Sequence, residues 1–267
     1  MQPMLNIALR AARMAGEQIA RAAERLDLIR AENNSVTDFL NETATKAEQT
    51  IAYTLQKAYP THKVVGVYSG DHAHTGAESA EVEWSVVAID SANNFLAGLP
   101  DYAICLSASQ KGRVEHAIIL NPITGEEFTA SRGHGAQLNG KRMRVSTQRE
   151  LAKSITATSY LNTPKERGYV GTFTSLQAQI FEAQGTLLNT GSPALNLANL
   201  AAGRVDGFVQ INLGREVLEA GALLVQEAGG LLGDFKGGNN FRQTGDTVAA
   251  NPKLFKALLQ SMKGLAG

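Results

Sequence analysis

Apolar residues recur at Met4, Ile7, Ala8, Ala11, Met14, Ala15, Ile19 and Ala22, the three-and-four spacing of one helix face, and predict a helix over Pro3 to Arg25. A polar stretch from Arg30 to Thr37 interrupts the pattern. It resumes on Ala44, Ala47, Ile51, Leu55 and Ala58 as a second helix that stops at Pro60. Lys63 to Tyr68 is β-prone, and a loop rich in Gly, His and Ser spans Ser69 to Ala80. Trp84 to Ile89 reads as a buried strand that ends in a small-residue turn at Asp90 and Ser91.

The middle of the chain is β-rich. Tyr102–Ser109, Val114–Leu120 and Glu126–Ser131 are separated by turn signals at Lys111-Gly112 and Pro122-Ile-Thr-Gly125. Asn139-Gly140 marks a hairpin between Ala136–Leu138 and Arg142–Val145. Beyond it, strands and helices alternate: strands over 155–159, 187–189, 208–213, 231–235 and 248–250, and helices over 173–183, 192–203 and 216–227, with a last one after Asn251-Pro252. Ser192 followed by Pro193 is the favoured start of a helix. The pattern predicts an α/β chain in two sub-domains, residues 1–145 and 146–267.

Composition narrows the functional classes. The 267 residues carry 25 basic and 25 acidic side chains, a formal net charge of +0, which argues against a strongly electrostatic nucleic-acid or membrane binder. The basic run Lys141, Arg142, Arg144 and Arg149 reads as a solvated hairpin edge. No apolar run reaches the length of a membrane span, and the N-terminus has no signal-peptide pattern. The single cysteine, Cys105, sits in an apolar run and reads as a core residue of a reducing compartment. A soluble cytoplasmic protein is the expectation. His72 and His74 with Asp71 have metal-ligand types, but no further ligand is evident and a solvated loop is the simpler reading.

The chemistry centres on Asp90. A strand that delivers an Asp into a small-residue turn can hold a hard cation, and free backbone N–H groups after such a turn can receive an anion. The same Asp can simply cap its turn or the following helix.

The stretch Trp84-Ser-Val-Val-Ala-Ile-Asp-Ser-Ala-Asn-Asn-Phe95 resembles the signature strand of the inositol monophosphatase superfamily, Trp-Val-x-Asp-Pro-Leu/Ile-Asp-Gly-Thr-x-Asn-Phe. Trp84, Ile89, Asp90, Asn94 and Phe95 match it; Val87, Ala88, Ser91 and Ala92 replace its first Asp, Pro, Gly and Thr. The opening Met1–Arg13, Glu126–Gly133, Gly135–Gly140, Ala201–Phe208 and Leu223–Gly230 are similar to the bacterial SuhB branch of that family. The resemblance implies a layered αβαβα sandwich and a homodimer. It also implies Mg²⁺-dependent hydrolysis of phosphate monoesters in active members, and in the SuhB branch a role in transcription antitermination with Nus factors and RNA polymerase on ribosomal RNA operons.

The family's site maps onto this chain with its acids missing. Ala44 stands where a helix-borne Asp would orient water, with Glu42 and Glu48 read as out of phase, and Ala92 replaces the Thr that works with that Asp. Val67 and Tyr68 replace the two acids of a metal-binding Glu-Glu loop, and Val87 and Val217 replace two metal-binding Asp residues. Gln210 stands for a substrate-holding Glu. Asp90 and the carbonyl of Ile89 are retained, and Gly191-Ser192 reads as an intact anion-receiving turn. The expectation is an apolar pocket lined by Val67, Val87 and Val217, no bound metal and no cofactor, with Asp90 the one carboxylate ligand left. Three readings compete: a pseudoenzyme acting through protein contacts, a phosphatase with ligands rearranged onto Asp71, Glu216 or Glu219, and a ligand-sensing or scaffold role.

Overall fold

The computed structural model describes residues 3–32, 34–75, 80–159 and 166–262. Met1 and Gln2 of the opening segment, and residues 76–79 of the expected loop, lie outside the described residues.

Helices α1 (Pro3–Ala23) and α3 (Val36–Ala58) follow the two predicted apolar faces and pack along each other. Ser35 caps α3, its Oγ accepting the Asp38 N–H at 3.2 Å. The polar interruption holds a short helix, α2 (Leu26–Ala31), seated by buried Leu26 and Ile29. A helix of six residues is too short for periodicity to reveal.

Among the described residues the strands form two sheets. The first has the order β2-β1-β3-β4-β5-β6-β7-β8. Its members are β1 (Lys63–Gly66), β2 (Gly70–His72), β3 (Val82–Val87), β4 (Ile104–Gln110), β5 (Arg113–Leu120), β6 (Glu127–Ser131), β7 (Gly135–Leu138) and β8 (Lys141–Arg142). Only the β1–β3 pair in it is parallel. The short helix α4 (Ala92–Ala97) follows β3. The second sheet has the order β10-β9-β11-β13-β12, from β9 (Ile155–Thr158), β10 (Thr186–Asn189), β11 (Gly207–Gln210), β12 (Leu231–Gly233) and β13 (Thr247–Ala250). The remaining helices are α5 (Val170–Glu182), α6 (Pro193–Ala201), α7 (Arg215–Glu227), the one-turn α8 (Phe241–Thr244) and α9 (Pro252–Ser261).

Three apolar clusters define the layers. α1 and α3 bury Ile19, Ile51 and Leu55 against Trp84, Val86, Ile104 and Leu106 on one face of the first sheet. The alternate residues of those strands, among them Val87 and Cys105, face the other way and meet Leu197, Leu200 and Leu223 of α6 and α7. The same middle layer reaches Ala157 and Phe208 of the second sheet. α5 and α9 cover the outer face of that sheet through Leu176, Ile180, Leu254 and Leu258. A sheet covered on both faces buries residues at successive positions, as in β4, the second half of β5 and the last two residues of β3. The architecture is the αβαβα sandwich. α6 and α7 approach closely at Gly221, where a Cβ would lie 2.3 Å from Leu197 Cδ1.

Some boundaries differ from the sequence expectation. β2 forms inside the expected loop by pairing antiparallel with β1. The predicted strand from Arg142 to Val145 is cut to β8, because Val145 N–H donates instead to the Ala228 carbonyl after α7. β3 ends at Val87, so Ala88 to Asp90 leave the ladder and are free to make other contacts.

Candidate functional site

The end of β3 lies between the turn after β1 and the N-terminus of α6. Asp90 joins these regions. Its N–H donates to the Ala103 carbonyl at 3.1 Å, and its Oδ1 accepts the Ala103 N–H at 2.7 Å. Oδ2 accepts the Ser192 hydroxyl at 2.7 Å and the Ala194 N–H at 3.0 Å. The residue keeps a partly exposed flank, but its carboxylate is enclosed, and burial pushes the pKa up to about 6 against the pull of these hydrogen bonds. Asp90 is a helix cap, though of α6 rather than of the helix that follows it in sequence.

This changes the reading of Gly191-Ser192. Pro193 has no N–H, Ala194 N–H goes to Asp90, Leu195 N–H goes to Ser192 Oγ at 3.2 Å, and Asn196 N–H goes to the Ser192 carbonyl at 3.1 Å. Every donor of the first turn is already engaged, so the turn offers no free anion site. Gly191 is there because φ is +79° and a Cβ would sit 2.8 Å from Asn94 Oδ1. Asn94, from α4, donates to the Asp101 and Thr190 carbonyls at 2.6 and 2.8 Å and ties the two turns together.

On the other side of β3, the decisive residue is Glu48. It lies four residues after Ala44 on α3, hence on the same face, and the expectation that it is out of phase is wrong: four residues turn a helix only about 40° past a full circle. Both are fully buried. Glu48 Oε2 accepts the Tyr68 N–H, the Ser69 N–H and the Ser69 hydroxyl at 2.9, 2.7 and 2.8 Å, and Oε1 accepts the Ala88 N–H at 3.3 Å. Burial raises its pKa, and the same donors oppose the rise. Ser69 Oγ also meets His72 Nε2 at 2.8 Å. With Glu48 ionised the serine proton points to the carboxylate, so His72 is the donor. The turn held in this way directs Tyr68, whose hydroxyl donates to the Ile89 carbonyl at 3.1 Å. Burial, then the charges of Glu48 and Asp90, push the Tyr68 phenol up to about 12, so it stays protonated and a donor.

The other expected positions are placed as follows. Val87 and Val217 are buried in the middle layer, but Val67 is 54% exposed and does not line a pocket with them. It follows β1 in a turn rather than continuing the strand, which the strand pattern did not reveal. Ala92 opens α4 half-buried, and Ser91 is buried with its hydroxyl unpartnered. Gln210 is buried and spends its amide on Ser159 and the Ile211 carbonyl. Cys105 is a buried free thiol.

These donors do not fit a magnesium ion, which takes six oxygens in a near-ideal octahedron. Val87 and Val217 supply none, the Ile89 carbonyl faces the Tyr68 hydroxyl, and the oxygens of Glu48 and Asp90 already accept protein protons. Two of the three candidate replacements are engaged in ion pairs: Asp71 with Lys63 at 3.4 Å and Glu219 with Arg215 at 2.8 Å. Among the described residues no three His, Cys, Asp or Glu side chains converge as a metal site. None of their helices is long and apolar enough to cross a membrane.

Comparison with known proteins identifies the family and the fold. The model of the inositol monophosphatase family matches residues 1–264. The chain is similar to the Nus factor SuhB of Pseudomonas aeruginosa, 43% identical over 263 residues, covering 98% of this chain and 97% of that protein. The Nus factor SuhB of Escherichia coli is 42% identical over the same length and coverage. The fold is similar to the extragenic suppressor protein suhB from Bartonella henselae, with a TM-score of 0.84 and 30% identity over 98% of this chain and 100% of that one.

Proposed function

We propose, from the premise that this chain belongs to the inositol monophosphatase family, that it is a catalytically silent member of SuhB type that acts through protein contacts. Its role is in transcription antitermination during ribosomal RNA synthesis, with Nus factors and RNA polymerase as partners and a homodimer as the working form. The observation that carries the reading is the state of the carboxylates. Phosphate-ester hydrolysis of this kind needs oxygens left free to hold a cation that polarises the phosphate and acidifies a water. Here Asp90 and Glu48 are spent on backbone and hydroxyl protons, and Val87 and Val217 fill the space of the remaining ligands with methyl groups. The names of the similar proteins, Nus factors, support the choice of partner class. The competing reading, a phosphatase with ligands moved to Asp71, Glu216 or Glu219, is disfavoured for Asp71 and Glu219 by their ion pairs with Lys63 and Arg215. The test is twofold: capture of the tagged chain from its own host, followed by identification of Nus-factor and polymerase subunits, and phosphate release from inositol-1-phosphate with millimolar Mg²⁺. Capture without phosphate release is the expected result. Turnover at a rate typical of enzymes, about 1 s⁻¹ or more, and lost in Asp90→Asn, overturns the proposal.

A further inference from the structure

The poor fit to a cation has a positive counterpart. The Ile89 carbonyl and the Asp90 N–H belong to one peptide unit. Its oxygen receives the Tyr68 hydroxyl proton at 3.1 Å, and its N–H donates to the Ala103 carbonyl at 3.1 Å, so the peptide plane is pinned from both sides. From that plane the Asp90 side chain reaches across to Ser192 and Ala194. Tyr68 is itself held at its N–H by Glu48, and at Gly66 the backbone approaches so closely that a Cβ would lie 2.2 Å from Glu48 Oε2.

We infer that these residues form a cation-independent lock running from α3 to α6 through Glu48, Tyr68, the Ile89–Asp90 peptide, Asp90 and Ser192. The hydroxyl of Tyr68 and the N-terminus of α6 supply the positive charge density that the Ile89 carbonyl and the Asp90 carboxylate would otherwise take from a divalent ion. A carbonyl and a carboxylate in an enclosed place must be paired or they destabilise the fold. The chain pairs both with its own protons, and so holds the first sheet and α6 in register without metal. The inference rests on the reading that this site carries no cation, but its test does not depend on catalysis or on any partner.

The test is amide hydrogen exchange by NMR on the intact protein, comparing the unmodified chain with Tyr68→Phe and Ser192→Ala, each with and without 10 mM MgCl₂. Tyr68→Phe keeps the ring and removes only the proton on the Ile89 carbonyl. Exchange at the Asp90 amide is expected to rise about tenfold or more in Tyr68→Phe, and exchange at Ala194 and Leu195 is expected to rise similarly in Ser192→Ala. Mg²⁺ is expected to leave the unmodified chain unchanged within about twofold. Unchanged Asp90 exchange in Tyr68→Phe would reduce the tyrosine to a space-filling residue and overturn the lock. Slowing of Asp90 exchange by Mg²⁺ in the unmodified chain would show that the site still takes a cation and overturn it equally. Phosphate release in the separate assay would defeat the functional proposal while leaving the Tyr68→Phe exchange result to stand or fall by itself.

Discussion

Asp90 Oδ2 and Ser192 Oγ, 102 residues apart in sequence, are joined by a 2.7 Å hydrogen bond that fastens the end of β3 to the start of α6. Because the same oxygen takes the Ala194 N–H and its partner oxygen takes the Ala103 N–H, removing the carboxylate strands three donors at once. Asp90→Ala is expected to cost roughly 3 kcal/mol of unfolding free energy, read from urea midpoints at constant m-value. A loss below about 0.5 kcal/mol would mean that water replaces the carboxylate freely.

Asp90 also gives stability a pH dependence of known sign. Its pKa, raised from 3.8 to about 6 in the folded chain, means that the native state binds more protons than the unfolded state between those values. Its contribution is therefore full below the unfolded value and is lost as pH rises through the folded one. The difference in stability between the unmodified chain and Asp90→Asn should shift against the unmodified chain across that window and level off above it, as followed by chemical denaturation at a series of pH values. A difference that does not vary with pH would show that Asp90 keeps an ordinary pKa.

The buried indole of Trp84 donates to His62 Nδ1 at 3.1 Å, and the imidazole stacks on Tyr59 with ring centroids 4.6 Å apart. Protonation at Nδ1 breaks that bond, and burial lowers the His62 pKa. Its contribution to stability is present above the ordinary histidine value and is lost as pH falls through the lower folded value. Acidification below the ordinary histidine value is expected to change the emission of Trp84, the chain's single tryptophan. His62→Phe should abolish that change; if the acid transition survives the substitution, another group controls it.

Introducing acids one at a time separates the valines. Val87→Asp places a carboxylate among buried apolar side chains and should cost about 3 kcal/mol or more. Val67→Glu, at a position 54% exposed, should fall within about 0.5 kcal/mol of the unmodified chain. Equal losses from both would contradict the exposed placement of Val67. Neither variant alone should release phosphate.

Gly191→Ala asks a residue with a Cβ to hold φ near +79° with Asn94 Oδ1 only 2.8 Å from that carbon. A loss of about 1–3 kcal/mol is expected, together with faster exchange at Leu99, whose N–H bonds the Asn94 carbonyl. Unchanged thermal stability would show that the turn relaxes into another conformation.

The sequence by itself determined the long helices and most of the strands. The periodic faces of α1 and α3, the apolar residues of β4, and the Ser192-Pro193 start of α6 are local signals, because helix and strand periods and cap chemistry act over a few residues. That Ala44, Val67, Val87, Ala92 and Val217 stand where the family carries oxygen-bearing side chains is what the resemblance implies, since residue types are read without coordinates. Only the tertiary structure decided what the remaining polar groups do. Glu48 was misjudged although its spacing from Ala44 was available, because its partners, at Tyr68, Ser69 and Ala88, lie 20 to 40 residues away. The capping of α6 by Asp90 and the bond from Tyr68 to the Ile89 carbonyl join segments that no local pattern relates. A hydrogen bond depends on distances and angles set by how layers pack, so sequence can name its donors and acceptors while packing alone chooses the pairs.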